Sequence, residues 1–220
     1  MIEFTNSEAL IFRNKYLILA DLHIGIEREY LLKGINIPSQ TNIILNKILD
    51  IKDKYNVSKL IILGDFKHNI PKISYIELKE VPYILNILSR EFSRVIITKG
   101  NHDGKLEDFV EKQNIKVVRA FKLGGIVFTH GHARTKLKGK LYLIGHHHFV
   151  KRIQTKIGES IYEKIFVLGE TDEGENILIF PAFSNLAGSW EIGSFHGPLA
   201  KKIRAYEIYS LDGTLLQEVR

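Results

Sequence analysis

The sequence predicts an α/β fold with a largely parallel first half and an antiparallel later half. Three observations carry this. Up to residue 145, short apolar runs alternate with longer stretches of helical spacing, the pattern of βαβ units. Beyond residue 148 the chain turns into strand-like runs joined by turn signals. No repeat, low-complexity linker or break in composition interrupts it, so one domain over residues 1–220 is expected.

In order, "YLILA" (16–20) reads as a buried strand stopping at Asp21. Ser39 is placed to cap a helix over 40–56, in which Ile43, Ile44, Ile48, Ile51 and Tyr55 fall near helical spacing. "KLIIL" (59–63) is a second strand, ending at Gly64-Asp65. Residues 74–92 read as a helix that Pro82 should kink or divide. "RVIITK" (94–99), "GIVFTH" (125–130) and "LYLIG" (141–145) are further strands, ending at Gly100-Asn101, His130 and His146. The later strands are expected at 161–170, 176–182, 201–209 and 214–219, with Asp212-Gly213 as the hairpin turn between the last two.

The composition is that of a soluble globular protein, with 45% apolar and 25% charged residues. No apolar run approaches the roughly 20 residues of a membrane helix, so no membrane partner is expected. The opening "MIEFTNSEALIF" has neither the basic region nor the cleavage site of a signal peptide. Cysteine is absent, which removes disulfides and thiolate metal sites and makes the cytoplasm the expected location. The net charge is +6. Arg134, Lys136, Lys138, Lys140, Lys151, Arg152 and Lys156 fall in an acid-free stretch over 133–158 that brackets three consecutive histidines. Two readings apply: a solvated surface, or a positive field around a site for phosphate-bearing substrates.

Every strand of the first half ends in a potential metal ligand. The fragments are "DLH" (21–23), "GDFKH" (64–68), "GNHD" (100–103), "THGH" (129–132) and "GHHH" (145–148). In open α/β sheets, sites form at the carboxyl ends of strands. If the fragments are extended, residues two apart face one side. Asp21 and His23 then serve one site with Leu22 turned away, and His146 and His148 serve it with His147 turned away. Glycines 64, 100 and 145 permit tight turns there. The candidates Asp21, His23, Asp65, Asn101, His130, His146 and His148 contain no sulfur, which suits first-row divalent metals. Seven ligands suit two ions sharing a carboxylate. Two divalent ions per chain are expected, manganese first, with iron, cobalt, zinc or nickel as alternatives.

The order of these fragments resembles the calcineurin-like metallophosphoesterases, whose pattern reads D-x-H, G-D-x-x-[D/H], G-N-H-[D/E], H and G-H-x-H. Within that family the chain most resembles small archaeal phosphoesterases related to SbcD-type repair nucleases. The resemblance implies two packed mixed β-sheets flanked by helices, with no capping domain. It implies that Asp21, His23, Asp65 and His148 hold one metal, and that Asp65 bridges to a second held by Asn101, His130 and His146. It makes His102 the catalytic histidine, donating either a proton or only a hydrogen bond. His68 stands where many relatives carry Asp and the repair nucleases carry His. It is expected to support His102 and contact the phosphate without binding metal.

The implied activity is phosphodiester hydrolysis, with phosphomonoesters open, by a metal-bridging hydroxide. The substrate is a phosphoester, with nucleotides or nucleic acid among the candidates. A repair-type nuclease and a non-catalytic scaffold are the competing readings. Oligomeric state is not readable from the sequence. His132 and His196 are expected to be packed or exposed rather than ligating, Asp103 to cap a turn or orient His102, and Trp190 to pack in the core or a lid.

Overall fold

The computed structural model describes residues 1–155 and 158–220; Lys156 of the basic stretch lies outside the described residues. Strands β1 (Ile2–Phe4), β2 (Leu10–Phe12), β3 (Tyr16–Leu19), β4 (Lys59–Ile62), β5 (Arg94–Thr98) and β6 (Ile115–Val118) form one sheet in chain order. β1 to β3 pair antiparallel and β3 to β6 parallel. Helices α1 (Glu27–Leu32), α2 (Thr41–Tyr55) and α3 (Tyr75–Glu91) connect its parallel strands.

The chain continues as β7 (Ala120–Leu123), β8 (Ile126–Thr129), β9 (Leu141–Ile144), β10 (Phe149–Gln154) and β11 (Ser160–Lys164). It closes with β12 (Phe166–Thr171), β13 (Asn176–Ile179), β14 (Trp190–Glu191), β15 (Ile203–Tyr209) and β16 (Leu215–Val219). A second sheet runs β16-β15-β12-β13-β9-β8-β7, and a small third sheet runs β11-β10-β14.

Strand alternation explains the layering. Leu17, Leu19, Leu60, Ile62, Val95 and Ile97 face α2 and α3, where Ile44, Ile48, Ile84 and Leu88 meet them. Ile18, Ile61 and Leu63 face the other way, against Phe128, Leu143, Phe166 and Phe180 of the second sheet. The strands are buried on both faces and so read as unbroken apolar runs. Among the described residues, helices cover only the first sheet. The outer face of the second is covered by Leu199 and Ala200 beside a short 3₁₀ turn, and by Phe195 and Ile192. No described helix is long and apolar enough to cross a membrane.

Several expectations need correction. Pro82 does not divide α3, which is continuous over Tyr75–Glu91. Pro82 lies on the exposed side of the helix, where water can satisfy the carbonyl it frees. Buried Val81, Ile84, Leu85 and Leu88 hold both halves. The α2 N-cap is Gln40 without a side-chain bond, and the Ser39 hydroxyl only accepts from the Thr41 N–H at 3.3 Å. The run at 161–170 is two strands in two sheets, broken at buried Ile165, because periodicity does not report which neighbour a strand pairs with. The later half is not wholly antiparallel, since β13 pairs parallel with β9. The strands β1, β2, β6, β7, β10 and β14 carry no strong sequence signal.

Candidate active site

All five fragments converge where the parallel strands of the two sheets end. Asp21 follows β3, Asp65 follows β4, Asn101 and His102 follow β5, His130 follows β8, and His146 to His148 follow β9. The loops are not extended, contrary to expectation. Asp21, His23, Asp65, His146 and His148 all have positive φ, from 48° to 76°. Such backbone costs on the order of 1–3 kcal/mol per residue and persists only where the surroundings enforce it. Two left-handed residues flanking one other, rather than a pleat, place 21 and 23, and likewise 146 and 148, on one site. Leu22 is buried in the core under the first sheet. At Gly64, with φ +84°, a Cβ would collide with the His130 ring, and at Gly100 with the Asp65 carboxylate, so both loops approach as closely as glycine allows.

Two donor sets result. Asp21, His23, Asp65 and His148 each offer an atom within 4.8 Å of the others, and so do Asp65, His130 and His146. Asp65 belongs to both. The Asn101 Oδ1 lies 3.3 Å from the His130 Nε2, which is also 3.3 Å from the Asp65 Oδ2. In the first set the His148 Nε2 is 3.3 Å from both the Asp21 Oδ1 and the His23 Nε2. Buried carboxylates and imidazole nitrogens converging this tightly fit divalent cations.

The surrounding hydrogen bonds fix which ring nitrogen is free. The His130 Nδ1–H donates to the Leu63 carbonyl at 2.7 Å, and the His148 Nδ1–H to the Gly188 carbonyl at 2.8 Å. The His68 Nε2–H donates to the Glu29 carboxylate at 2.8 Å, and the His68 Nδ1 accepts from the His23 Nδ1–H at 3.1 Å. In His130, His148 and His23 this leaves Nε2 for the site. His23, His68 and His102 also approach within 4.8 Å, but these bonds engage both His68 nitrogens, so the group is a relay onto His23. Glu29, on α1, carries no sequence signal for this role. Glu29→Gln should weaken metal binding at the first set by about tenfold. Glu29 is half-exposed, so the thermal midpoint should barely move. Titration calorimetry finding wild-type affinity would refute the relay.

His102 is oriented by the main chain. Its Nδ1–H donates to the His68 carbonyl, its backbone N–H donates to the Asp65 Oδ1 at 2.9 Å, and its ring stacks on His68 at 5.2 Å. The His68 ring touches His102 only by stacking, and it is the His68 carbonyl that holds the His102 Nδ1–H. Glu77 secures that peptide unit, accepting from the Asn69 N–H at 2.7 Å and from the His68 N–H at 3.1 Å. Glu77 is also the third helical residue of a capping box with Ser74; the S-x-x-E pattern in "SYIE" is the signal that marks it. Asp103 does not touch the His102 ring. It accepts from the Gly100 N–H at 2.8 Å and the Lys67 N–H at 3.2 Å, and burial, then Asp65, pushes its carboxyl up to about 6.

Charge is concentrated on the second set. Burial disfavours a charged His130, but Asp65, Asp21 and the Leu63 carbonyl outweigh it and raise the ring to about 9. Burial likewise opposes ionised Asp65, yet His130 and His23 hold it well below the usual carboxylate range. Burial and charged His130 push His146 down to about 3. His130 is therefore protonated in the metal-free protein at neutral pH, and a cation taking its Nε2 would have to displace that proton. That proton is present without metal and absent with it, so metal affinity should rise with pH up to about 9, by up to roughly tenfold per unit. Calorimetry in buffers of different ionisation heat should detect proton release at neutral pH; finding none would contradict this charge state.

His147 is turned away but buried, its Nδ1–H donating to the Gly145 carbonyl at 3.1 Å while its Nε2 accepts from the His196 N–H at 3.2 Å. His196 is exposed. His132 is half-buried beside a recess of about 570 Å³ lined in part by Lys99, Arg119, Arg134 and Lys136. The basic stretch divides here, because Lys151 and Arg152 bond instead to Gln217 and Ser160. Trp190 is neither core nor covered, at 68% exposure.

The architecture matches a solved structure. The nuclease MPE of Pseudomonas putida superposes with a TM-score of 0.68 at 24% identity, over 96% of this chain and 92% of that one. YfcE, a phosphoesterase from E. coli, aligns over 93% and 97% at 18% identity, with a TM-score of 0.47. A search of curated protein sequences returns no match. The family model described as calcineurin-like phosphoesterase matches residues 15–211. That span runs from β3 to beyond β15 and takes in every strand end that feeds the two donor sets, and on it the chain belongs to the calcineurin-like phosphoesterase family.

Proposed function

We propose that the protein is a two-metal phosphodiesterase. The observation that carries this is Asp65, which alone belongs to both donor sets and so can join two cations through one carboxylate. Asp21, His23, Asp65 and His148 would hold one ion, and Asp65, Asn101, His130 and His146 the other, with manganese the first choice for an oxygen- and imidazole-rich site. Bound divalent ions supply Lewis-acid polarisation of the phosphoryl group and activation of water.

The chain supplies the rest. The His68 carbonyl holds the His102 Nδ1–H, which leaves the Nε2 side of the ring for substrate. Donation from Nε2, to a leaving oxygen or to a phosphoryl oxygen, therefore requires both ring nitrogens protonated. His68 and Glu29 keep the His23 Nε2 bare, and the Glu77 clamp fixes the carbonyl that orients His102.

The test is metal analysis together with turnover of bis(p-nitrophenyl) phosphate, before and after chelation and manganese addition. About two ions per chain and metal-restored turnover are expected. At most one ion at saturation would overturn the two-metal reading, and full metal content without turnover would favour the scaffold.

A nuclease is the second reading, favoured by the recess carrying Arg119, Arg134 and Lys136 near His130, with Lys99 there paired to Glu107. Three cations beside a phosphodiesterase centre suit a polyanionic chain. The His68 in "GDFKH", which resembles the SbcD-type repair nucleases at that position, and the fold shared with nuclease MPE agree with it. Cleavage of an oligonucleotide that slows steeply with salt, beside salt-insensitive turnover of the small diester, would distinguish it.

A further inference from the structure

Trp190 is the chain's only tryptophan, and the structure leaves it 68% exposed beside the donor sets. It lies on β14, which runs parallel to β10 with Trp190 in register with Phe149. The Trp190 N–H donates to the His148 carbonyl at 3.2 Å. That bond comes from the Trp190 main-chain amide, so the backbone that carries the indole is tied to that of a proposed metal ligand and does not lie on a free loop.

Trp190, His146, His147, Phe149, Ser194 and His196 line a recess of about 280 Å³. Its walls are braced. The buried His147 ring joins the 145–149 segment to the backbone of His196, and Phe195 packs edge-on against Phe149 at 5.7 Å. The polar groups at the recess are exposed. They are the Ser194 hydroxyl and His196 imidazole, 3.1 Å apart, and the Glu191 carboxylate.

The geometry points to this recess as a nucleobase pocket, in which the base of a nucleotide flanking the scissile phosphate stacks on the Trp190 indole. The substrate class is then a nucleotide diester, and the inference rests on the phosphodiesterase reading above. The volume falls just under the roughly 300–1,000 Å³ of drug-sized pockets and suits one planar ring system. Because His146 belongs both to this wall and to the second donor set, an occupant lies directly beside the phosphate. Stacking on an aromatic face tolerates any base, while Ser194, His196 and Glu191 offer hydrogen-bonding groups for the base edge.

The single tryptophan makes the test direct. Manganese-loaded protein is titrated with deoxyadenosine 5′-monophosphate and, separately, with deoxyribose 5-phosphate, which carries the same phosphate and no base. The nucleotide should quench the intrinsic fluorescence saturably, and the sugar phosphate should not. Inhibition constants against bis(p-nitrophenyl) phosphate are then compared in wild type, Trp190→Ala and Trp190→Phe. The alanine variant should weaken the nucleotide by roughly tenfold, leave the sugar phosphate unchanged, and be largely rescued by phenylalanine.

Equal nucleotide inhibition in all three proteins, with unquenched emission, would overturn the pocket. Emission that changes only with protein concentration would overturn it too, as the mark of a face covered by a second copy. A wild type that quenches with the nucleotide yet turns over no diester would uphold the pocket and sink the phosphodiesterase reading alone.

Discussion

Asp65→Asn is expected to strip both donor sets of metal and to abolish diester turnover, a larger loss than any other single substitution here. Asparagine preserves the shape and the oxygen that accepts the His102 N–H at 2.9 Å, so the loop should survive. What goes is the negative charge common to Asp21, His23 and His148 on one side and His130 and His146 on the other. The loss should exceed the roughly 10²–10⁴-fold that a positioned acid or base contributes. A second readout is independent of activity. Asp65 leads the attractions that raise His130 to about 9 in the metal-free protein, so in Asp65→Asn the burial of His130 should prevail and bring that value down. Imidazole proton resonances followed with pH would show it. Retention of two ions per chain would rule out a shared carboxylate.

His102→Ala should keep both metals and lose about 10²–10⁴-fold in turnover. The ring offers its Nδ1 to the His68 carbonyl, and neither ring nitrogen is needed to complete the two donor sets. With a nitrophenol leaving group the loss should shrink, because a good leaving group needs little protonation. His68→Ala is the informative comparison. It leaves the carbonyl that orients His102 in place and removes the link from Glu29 to His23. It should therefore act chiefly on metal affinity, as Glu29→Gln does, and cost less turnover than His102→Ala. A His102→Ala protein that loses metal in proportion to activity would show the ring to be a ligand.

Much of the fold was readable because it is local. The central strands are buried on both faces, so 16–20, 59–63, 94–99, 125–130 and 141–145 stand out as apolar runs. The short edge strands β1, β7 and β14 are defined by their partners and left no such trace. Ser160–Lys164 shows the limit in the other direction. Its apolar Ile161 and Tyr162 are exposed on a small sheet at 43% and 57%, and by pattern alone they merge with the core strand that follows.

What the sequence by itself determined about the site is its inventory and its edge. A polar residue directly after an apolar strand must lie at that strand's carboxyl end, and five such fragments on parallel strands must lie near one another. Only the tertiary structure decided how they meet. The backbone at Asp21, His23, Asp65, His146 and His148 is left-handed, so these side chains converge through a conformation other than the extended alternation expected from the sequence. The roles of Glu29 on His68, of Glu77 on the 68–69 peptide, and of the His68 carbonyl on His102 depend on contacts between residues far apart in the chain. A carboxylate on a helix looks the same in sequence whether it faces water or a histidine. Trp190 makes the same point in reverse: a tryptophan reads as core until the fold leaves its indole in solvent beside the donor sets.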